Sequence, residues 1–499
     1  MLNSFQHLIT NSCEILMRSR NKFGMTAAPN QHTINHPMKK NILFLSAVVI
    51  AFTACKPKTE KPTDVEETPT AIAAPEWSKN ANIYEVNLRQ YTPEGTIKAF
   101  EQHLPRLKDM GVDVLWLMPI HPIGEKNRKG GMGSYYSVKD YKAVGSDYGT
   151  MEDFKGMVKK AHDMGMKVII DWVANHTAWD NPWITEHPDW YTKDSTGNIV
   201  TPWDWTDVAQ LNYDNMEMRQ AMIDALKFWV KEADIDGYRC DVAFLVPTDF
   251  WIDARKQLDE IKPVFMLAEA EDIGDKGIEN ALFYDSAFDA NYAWEFHHIM
   301  NEIAKGNKQA ADLDTFWQKE QTRMPERTYR MAFTSNHDEN SWNGTEFERM
   351  GDGYKAFAVL SATYPKNMFL LYSGQEVGLK KRMAFFEKDT ISWGDTTLYG
   401  FYRNVMHIKK NNEALWNGNN GGSFEKLAWT GDNANIYAFK RVKGENEVTV
   451  ILNLSGKAAK GQIAGLDFKA AGREAFSNAV VLAAETIDLK PWEYLVMVK

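Results

Sequence analysis

Residues 235–242 read Ile235-Asp236-Gly237-Tyr238-Arg239-Cys240-Asp241-Val242, and residues 264–269 read Val264-Phe265-Met266-Leu267-Ala268-Glu269. Each is a short apolar run that ends at or beside a carboxylate. Residues 247–261 between them carry a helical pattern, as do residues 221–231 ahead of them. Side chains on a strand alternate between faces, so Arg239 and Asp241 share one face and Tyr238 and Cys240 the other. An arginine beside an aspartate can hold that carboxylate ionised near neutral pH, as a nucleophile requires. An ion pair that merely caps a strand would look the same in isolation.

Outward from this unit the same rhythm repeats. Strand-like runs start at residues 82, 112, 167, 235, 264, 287, 330 and 366, with helical patterns between them. One helix starts at Thr96, carries Phe100, Leu104 and Leu107 at helical spacing, and stops at Gly111. Another starts at a capping box, Thr150 with Asp153 at its acidic position. The first strand is read to continue through Arg89-Gln90-Tyr91. Eight strands alternating with helices predict an α/β fold, a (β/α)₈ TIM barrel, over residues 76–411. Functional groups of such a barrel sit at the C-terminal ends of its strands. Here those ends carry His176, Asp241, Glu269 and His337-Asp338.

The connection after the third strand, residues 176–215, is too long for a plain loop and holds Trp179, Trp183, Trp190, Trp203 and Trp205. It reads as a small inserted domain over the barrel mouth, its tryptophans forming a mini-core or lining a groove for sugar rings. From residue 412 to 499 the pattern turns to β-runs of alternating character, with a hairpin signal at Lys443-Gly444-Glu445-Asn446. This segment is expected to be an antiparallel β-sandwich.

The formal charge of −10 and the absence of a basic stripe argue against nucleic acid as a partner. Three cysteines, Cys13, Cys55 and Cys240, give neither a disulfide framework nor a metal spacing. Cys240 is expected to be a buried packing residue. Residues 1–54 end in Met38-Lys39-Lys40-Asn41, an apolar run over 42–54, and then Cys55. The run is too short to span a bilayer, and its layout is that of a secretory leader. Phe52-Thr53-Ala54-Cys55 resembles a bacterial lipoprotein signal, which implies lipidation of Cys55, export, and anchoring to a bacterial membrane on its periplasmic or outer side. Met38 is the expected true start, so peptides from residues 1–37 should be missing from mass spectra of the mature protein. Residues 55–75 are rich in Pro, Thr and Glu and read as a disordered tether.

Asp241 and Glu269 end neighbouring strands, and Asp338 ends a third. Two carboxylates about 5–5.5 Å apart are the layout of a retaining glycosidase, one attacking the anomeric carbon and one serving as acid and then base. Glu269 follows Met266-Leu267-Ala268 with no basic neighbour in sequence, and this apolar setting predicts a raised pKa. His176 and His337, each beside an asparagine, are placed to hydrogen-bond sugar hydroxyls. Neither sits in a metal-like motif.

Four segments carry a resemblance: Asp171-Trp172-Val173-Ala174-Asn175-His176, Gly237-Tyr238-Arg239-Cys240-Asp241, Leu267-Ala268-Glu269 and Ser335-Asn336-His337-Asp338. In this order they resemble the signature regions of the α-amylase family, over about residues 77–499. The resemblance implies Asp241 as nucleophile, Glu269 as acid/base and Asp338 as transition-state stabiliser. It implies Arg239, His176 and His337 as substrate-binding residues, and Tyr136 as the ring that stacks on the reacting glucose. Leu370-Leu371-Tyr372-Ser373-Gly374-Gln375-Glu376 looks like the family's eighth-strand segment.

The sequence departs from the pattern at three places. Phe244-Leu245 stands where many members carry Lys-His, and Tyr135 replaces a glycine, which is expected to narrow the cleft. The family's calcium site would use Asn175, while Gln210 stands where an Asp is common.

The resemblance thus implies a retaining hydrolase of α-1,4-glucosidic bonds in starch or maltooligosaccharides, with calcium as a structural ion and no cofactor for the chemistry. An α-glucanotransferase on the same three carboxylates is the alternative. A non-catalytic glucan-binding surface protein is a further one, disfavoured because all three carboxylates are present.

Overall fold

The computed structural model describes residues 71–271, 281–466, 472–479 and 486–499. The expected leader, Cys55 and the tether up to residue 70 lie outside the described residues. Residues 71–75, counted above as tether, rest on the folded part: the Ile72 N–H donates to the Asp285 carbonyl at 2.9 Å, and Pro75 is buried. No helix among the described residues is long and apolar enough to cross a membrane.

Eight parallel strands close into a barrel. They are β1 (Ile83–Val86), β2 (Val114–Leu117), β3 (Lys167–Trp172), β4 (Gly237–Cys240), β5 (Phe265–Ala268), β6 (Ala290–Tyr292), β7 (Tyr329–Ala332) and β8 (Asn367–Tyr372). Each pairs with its sequence neighbours, and β8 closes the ring on β1. Alternation sorts the side chains into two apolar cores. Ile83, Trp116, Ile169, Leu267, Met331 and Leu370 fill the interior. Tyr84, Leu115, Ile170, Tyr238, Cys240 and Met266 face outward under the helices. Cys240 is free and buried there, as its alternation from Arg239 requires.

Gly237 opens β4 with φ 152°, and a Cβ on it would sit 1.9 Å from the Phe265 carbonyl oxygen. Only glycine lets β4 pair this closely with β5.

The helix Met151–Asp163 starts on the expected capping box and buries Phe154, Met157, Val158 and Ala161. The helix read from Thr96 is two pieces, Ile97–Glu101 and Leu104–Met110, the second ending on Gly111 at φ 98°. Residues Leu88–Tyr91, read as a continuation of β1, are a buried helical turn. The sixth strand starts at Ala290, three residues later than its expected start at 287.

Two long segments cover the C-terminal mouth. The one after β3 contains a two-stranded antiparallel sheet of His176–Ala178 and Val208–Gln210. Trp190 is buried there edge-on to Trp183, and Tyr141 from the segment after β2 packs on Trp183, so these rings form core. Trp203 is exposed. The second, residues 118–150 after β2, carries Tyr136 and reads in the sequence as ordinary connection.

Beyond the barrel the described residues form two antiparallel sheets. One has five strands, Ser423–Lys426, Ile436–Lys443, Asn446–Asn453, Tyr494–Val498 and Arg473–Glu474, and the other has Trp429–Gly431, Ala459–Ile463 and Ile487–Leu489. Ile436, Ala438, Ile451, Ile463, Leu489 and Met497 pack together in a separate apolar cluster, while Tyr437, Phe439, Val450 and Val496 on the alternate positions join the barrel's outer core. The expected hairpin is present, with Lys443 paired to Asn446 and Gly444 at φ 59°.

Candidate active site

The site is built on Arg239. Strand alternation points its side chain into the barrel, and register sets Asp171 of β3 directly beside it. Arg239 is fully buried. Its Nη1 donates to Asp171 Oδ1 at 2.8 Å and to Asp241 Oδ1 at 3.0 Å, and its Nε donates to the Tyr292 hydroxyl at 3.0 Å. Its Nη2 forms an ion pair with Glu269 Oε2 at 3.0 Å. The rings of Trp116, Tyr136 and Tyr292 surround the guanidinium with centroids 5.3–5.7 Å away. A buried cation of this size is held where carboxylates and aromatic faces replace its water.

Chain geometry delivers the carboxylates. Asp241 follows β4, and the next residue, Val242, takes a left-handed backbone with φ 37°. A β-branched residue pays strain in that region, and such strain clusters at functional sites. The turn aims the Val242 N–H at Glu269 Oε2, 2.8 Å away. Glu269 therefore meets a guanidinium and a backbone donor. This corrects the apolar, cation-free setting inferred from its sequence neighbours.

Burial pushes the Asp241 carboxyl well up, Arg239 pulls it down, and Glu269, Asp171 and Asp338 push it up again. The net direction is upward, against the expectation that Arg239 holds Asp241 ionised near neutral pH, because the site is buried and the guanidinium is shared with Asp171 and Glu269.

A second cluster adjoins the first. The Tyr136 hydroxyl lies 3.2 Å from Asp171 Oδ2 and 2.8 Å from His337 Nε2. His337 Nδ1 bonds to Glu85, and its Nε2 is 3.3 Å from Asp338 Oδ2. Trp116 Nε1 also donates to Asp171 Oδ2, at 3.2 Å. Burial pulls His337 down, but Asp338 and Glu85 outweigh it and hold it up at about 9. A protonated His337 donates to Tyr136, whose own hydroxyl proton then goes to Asp171. Burial pushes Asp338 up to about 6, against the pull of His337. Asp338 stands past the end of β7, just ahead of the π-helical turn Glu339–Asn343.

The His337 value gives a pH prediction. A group at about 9 in the fold and near 6.5 in its absence contributes stability that is full below pH 6.5 and lost as pH rises through 9. Urea unfolding of the parent and of His337→Asn should differ by on the order of 3 kcal/mol more at pH 6 than at pH 10. A gap that does not change with pH would mean that His337 is neutral in the fold.

His176 stands one layer away. Burial pulls it down to about 3, and its hydrogen bond to the Tyr136 backbone opposes this only partly. It is neutral, edge-on to Trp205, with Nδ1 3.2 Å from the Asn175 amide nitrogen. The structure thus brings Asp241, Glu269, Arg239, Asp338, His337 and Tyr136 into one network and attaches His176 through the Tyr136 backbone.

Three residues that sequence reasoning did not assign complete the network. Asp171 opens a motif that gives it no role of its own, Glu85 is a lone acid inside an apolar strand, and Tyr292 ends β6. A buried carboxylate in a barrel strand is itself a signal, since such groups are rarely buried unless paired.

One of the departures noted above resolves. Tyr135 does not narrow the cleft: it is buried, its hydroxyl donates to Asn87 Oδ1 at 3.0 Å, and Arg89 lies over its face at 3.8 Å. Calcium takes six to eight oxygen ligands, commonly with several carboxylates. Among the described residues no three acidic, histidine or cysteine side chains come together as a metal site. Asn175 turns its amide nitrogen to His176 Nδ1 at 3.2 Å, and Gln210 pairs with His176 across the small sheet and brings no charge.

A family model for the alpha-amylase catalytic domain matches residues 71–198 and 188–435. Alpha-amylase MalA of Haloarcula japonica is 28% identical over 399 residues, covering 77% of this chain and 57% of that protein, so the match spans a little over half of that relative. Among solved structures, a noncanonic maltogenic alpha-amylase AmyB from Thermotoga neapolitana superposes with TM-score 0.74 at 28% identity, covering 85% of this chain and 99% of that one. An alpha-amylase from Lactobacillus plantarum gives TM-score 0.74 at 30% identity, with 85% and 99% covered.

Proposed function

The chain belongs to the alpha-amylase family, and on that premise we propose that it is a retaining glycoside hydrolase that cleaves α-1,4-glucosidic bonds in starch or maltooligosaccharides. The observation that carries this reading is the single guanidinium of Arg239, which holds Asp241 on Nη1 and Glu269 on Nη2. Two carboxylates on neighbouring nitrogens of one group stand close together, as the short-spaced pair of a retaining enzyme must.

In this reading the Asp241 carboxylate attacks the anomeric carbon as the bond to the leaving oxygen breaks. Glu269 gives its proton to that oxygen. The glycosyl–Asp241 ester is then opened by water, whose proton returns to Glu269. Asp338 and the protonated His337 face the hydroxyls of the reacting ring, and Tyr136 offers it an aromatic face. Arg239 favours the ionised form of Asp241 that the attack needs. Attachment to a membrane through Cys55 is argued from residues 38–55 alone and is part of the same proposal.

Proton NMR during incubation with maltoheptaose tests it. Products shorter than the substrate should appear first as α-anomers. Early β-anomers would exclude a retaining enzyme of this specificity, and products longer than seven units would identify a transferase. Isomaltose in a parallel incubation reads the bond preference.

A further inference from the structure

Asp338 reaches the cleft from a short turn, and its carboxylate is aimed mainly by the backbone that carries it. Among the described residues that carboxylate meets one polar side chain, His337 Nε2 at 3.3 Å. The turn runs from Phe333 and Thr334, just past β7, to the π-helical segment Glu339–Asn343. Asn336 closes it: its Oδ1 accepts the Glu339 N–H at 2.8 Å, and its carbonyl accepts the Asn340 N–H at 3.0 Å.

Glu339 points away from the cleft, into the helices outside the barrel, and is buried. Two side chains there each bridge the turn from end to end. His297, on the helix Trp294–Ala304, donates from Nδ1 to the Phe333 carbonyl at 3.0 Å and holds Nε2 3.1 Å from Glu339 Oε2. Arg349, on the helix Glu346–Met350, donates from Nη2 to the Thr334 carbonyl at 2.6 Å and holds Nη1 3.5 Å from the same Oε2. Asn343 Nδ2 donates to the other oxygen, Oε1, at 2.8 Å. Asn301 ties the two bridges together, with Nδ2 2.9 Å from His297 Nε2 and Oδ1 accepting from Arg349 Nη1 at 3.1 Å. The His297 ring also stacks on Phe333, 25° from it at 4.6 Å.

Burial pushes the Glu339 carboxyl up, but His297 and Arg349 outweigh it and hold the group well below the usual carboxylate range. A buried carboxylate that is ionised is costly unless its donors stay in place, so such a network permits one geometry. Glu339 is the next residue after Asp338, so any shift of the one is passed to the other through the backbone. A displacement on the order of 1 Å, caused by a change outside the chemistry, can cost about 10²-fold in rate.

From this we propose that Glu339, braced by His297 and Arg349, is a positioning residue that holds the Asp338 carboxylate against the reacting ring. The inference rests on the functional reading above for the role of Asp338.

In the full chain, Glu339→Ala should lower kcat on maltoheptaose about 30-fold and change KM by less than about threefold. Glu339→Gln keeps the length and one accepting oxygen and should recover most of the loss. The decisive readout is a cycle with Asp338→Asn. A residue that acts through Asp338 has nothing left to position in that background, so Glu339→Ala should then lower kcat by less than about twofold. The same loss in both backgrounds, or full kcat in Glu339→Ala with only a lower Tm, overturns the proposal and leaves the brace a support of the fold. If Glu339→Ala does not fold, the cycle is read on Asn343→Ala, which removes one bond to the same carboxylate from a half-buried position. A loss of about threefold that vanishes with Asp338→Asn supports the brace, and any other pattern overturns it. A parent chain without turnover on maltoheptaose removes the hydrolase reading instead. Crystal structures of the parent and the variant then decide: an Asp338 carboxylate displaced by about 1 Å supports the positioning role, and an unmoved one overturns it.

Discussion

Asp241→Asn and Glu269→Gln are each expected to lower kcat/KM on maltoheptaose by on the order of 10⁴-fold, the range in which loss of a reacting group leaves only binding and positioning. Both replacements are close to isosteric. The fold should survive them, because Arg239 keeps Asp171 and one further carboxylate in either variant. The two roles separate by rescue with azide. In Asp241→Ala the anion occupies the space of the lost nucleophile and attacks from the same face, so a β-glycosyl azide should form. In Glu269→Ala the glycosyl–Asp241 ester still forms from a substrate with a good leaving group. Azide then attacks its opposite face, and an α-glycosyl azide should form. Turnover that persists in either variant without azide would remove that residue from the chemistry. Azides of the opposite anomeric form would exchange the two roles.

Much of this site was legible in the chain because it sits where strands end. A barrel reports its mouth as a series of polar residues closing apolar runs, and Asp241, Glu269 and His337-Asp338 were found in that way. Alternation also gave the correct faces to Arg239 and Cys240. What escaped was everything set by register or by long loops. Asp171 reaches Arg239 because β3 and β4 pair Asp171 with Arg239, and pairing between strands so far apart in sequence leaves no local trace. The same holds for Glu269, whose neighbours in sequence are apolar while its neighbours in space are Arg239 and the Val242 N–H. Glu85 reads as an oddity in β1 until His337, some 250 residues later, is seen against it. Tyr135 was expected to narrow the cleft because it stands where the family resemblance places a glycine before Tyr136. The buried partners that draw it inward, Asn87 and Arg89, come from a turn that was read as strand.

The largest effect on stability is expected at Arg239. Its replacement by methionine fills a similar volume but leaves Asp171, Asp241 and Glu269 facing one another without the cation that all three contact. Removing one partner from a buried charge network destabilises by about 3–5 kcal/mol, because the remaining charges stay desolvated. Urea unfolding of Arg239→Met at pH 8 should show a loss in this range. Arg239→Lys should recover only part of it, since one ammonium has no planar fork to place on three carboxylates and a tyrosine hydroxyl. The pH dependence identifies the cause. Without the guanidinium, burial and mutual repulsion raise the three carboxyl groups above their unfolded values near 4. A group raised in the fold stabilises below its unfolded pKa, and that stability is lost as pH rises through its folded value. The deficit of Arg239→Met against the parent should therefore be smaller at pH 5 than at pH 8. The bland alternative is lost packing against Trp116, Tyr136 and Tyr292, which does not titrate in this range. Equal deficits at the two pH values would assign the stabilisation to those rings and take the carboxylates out of the account.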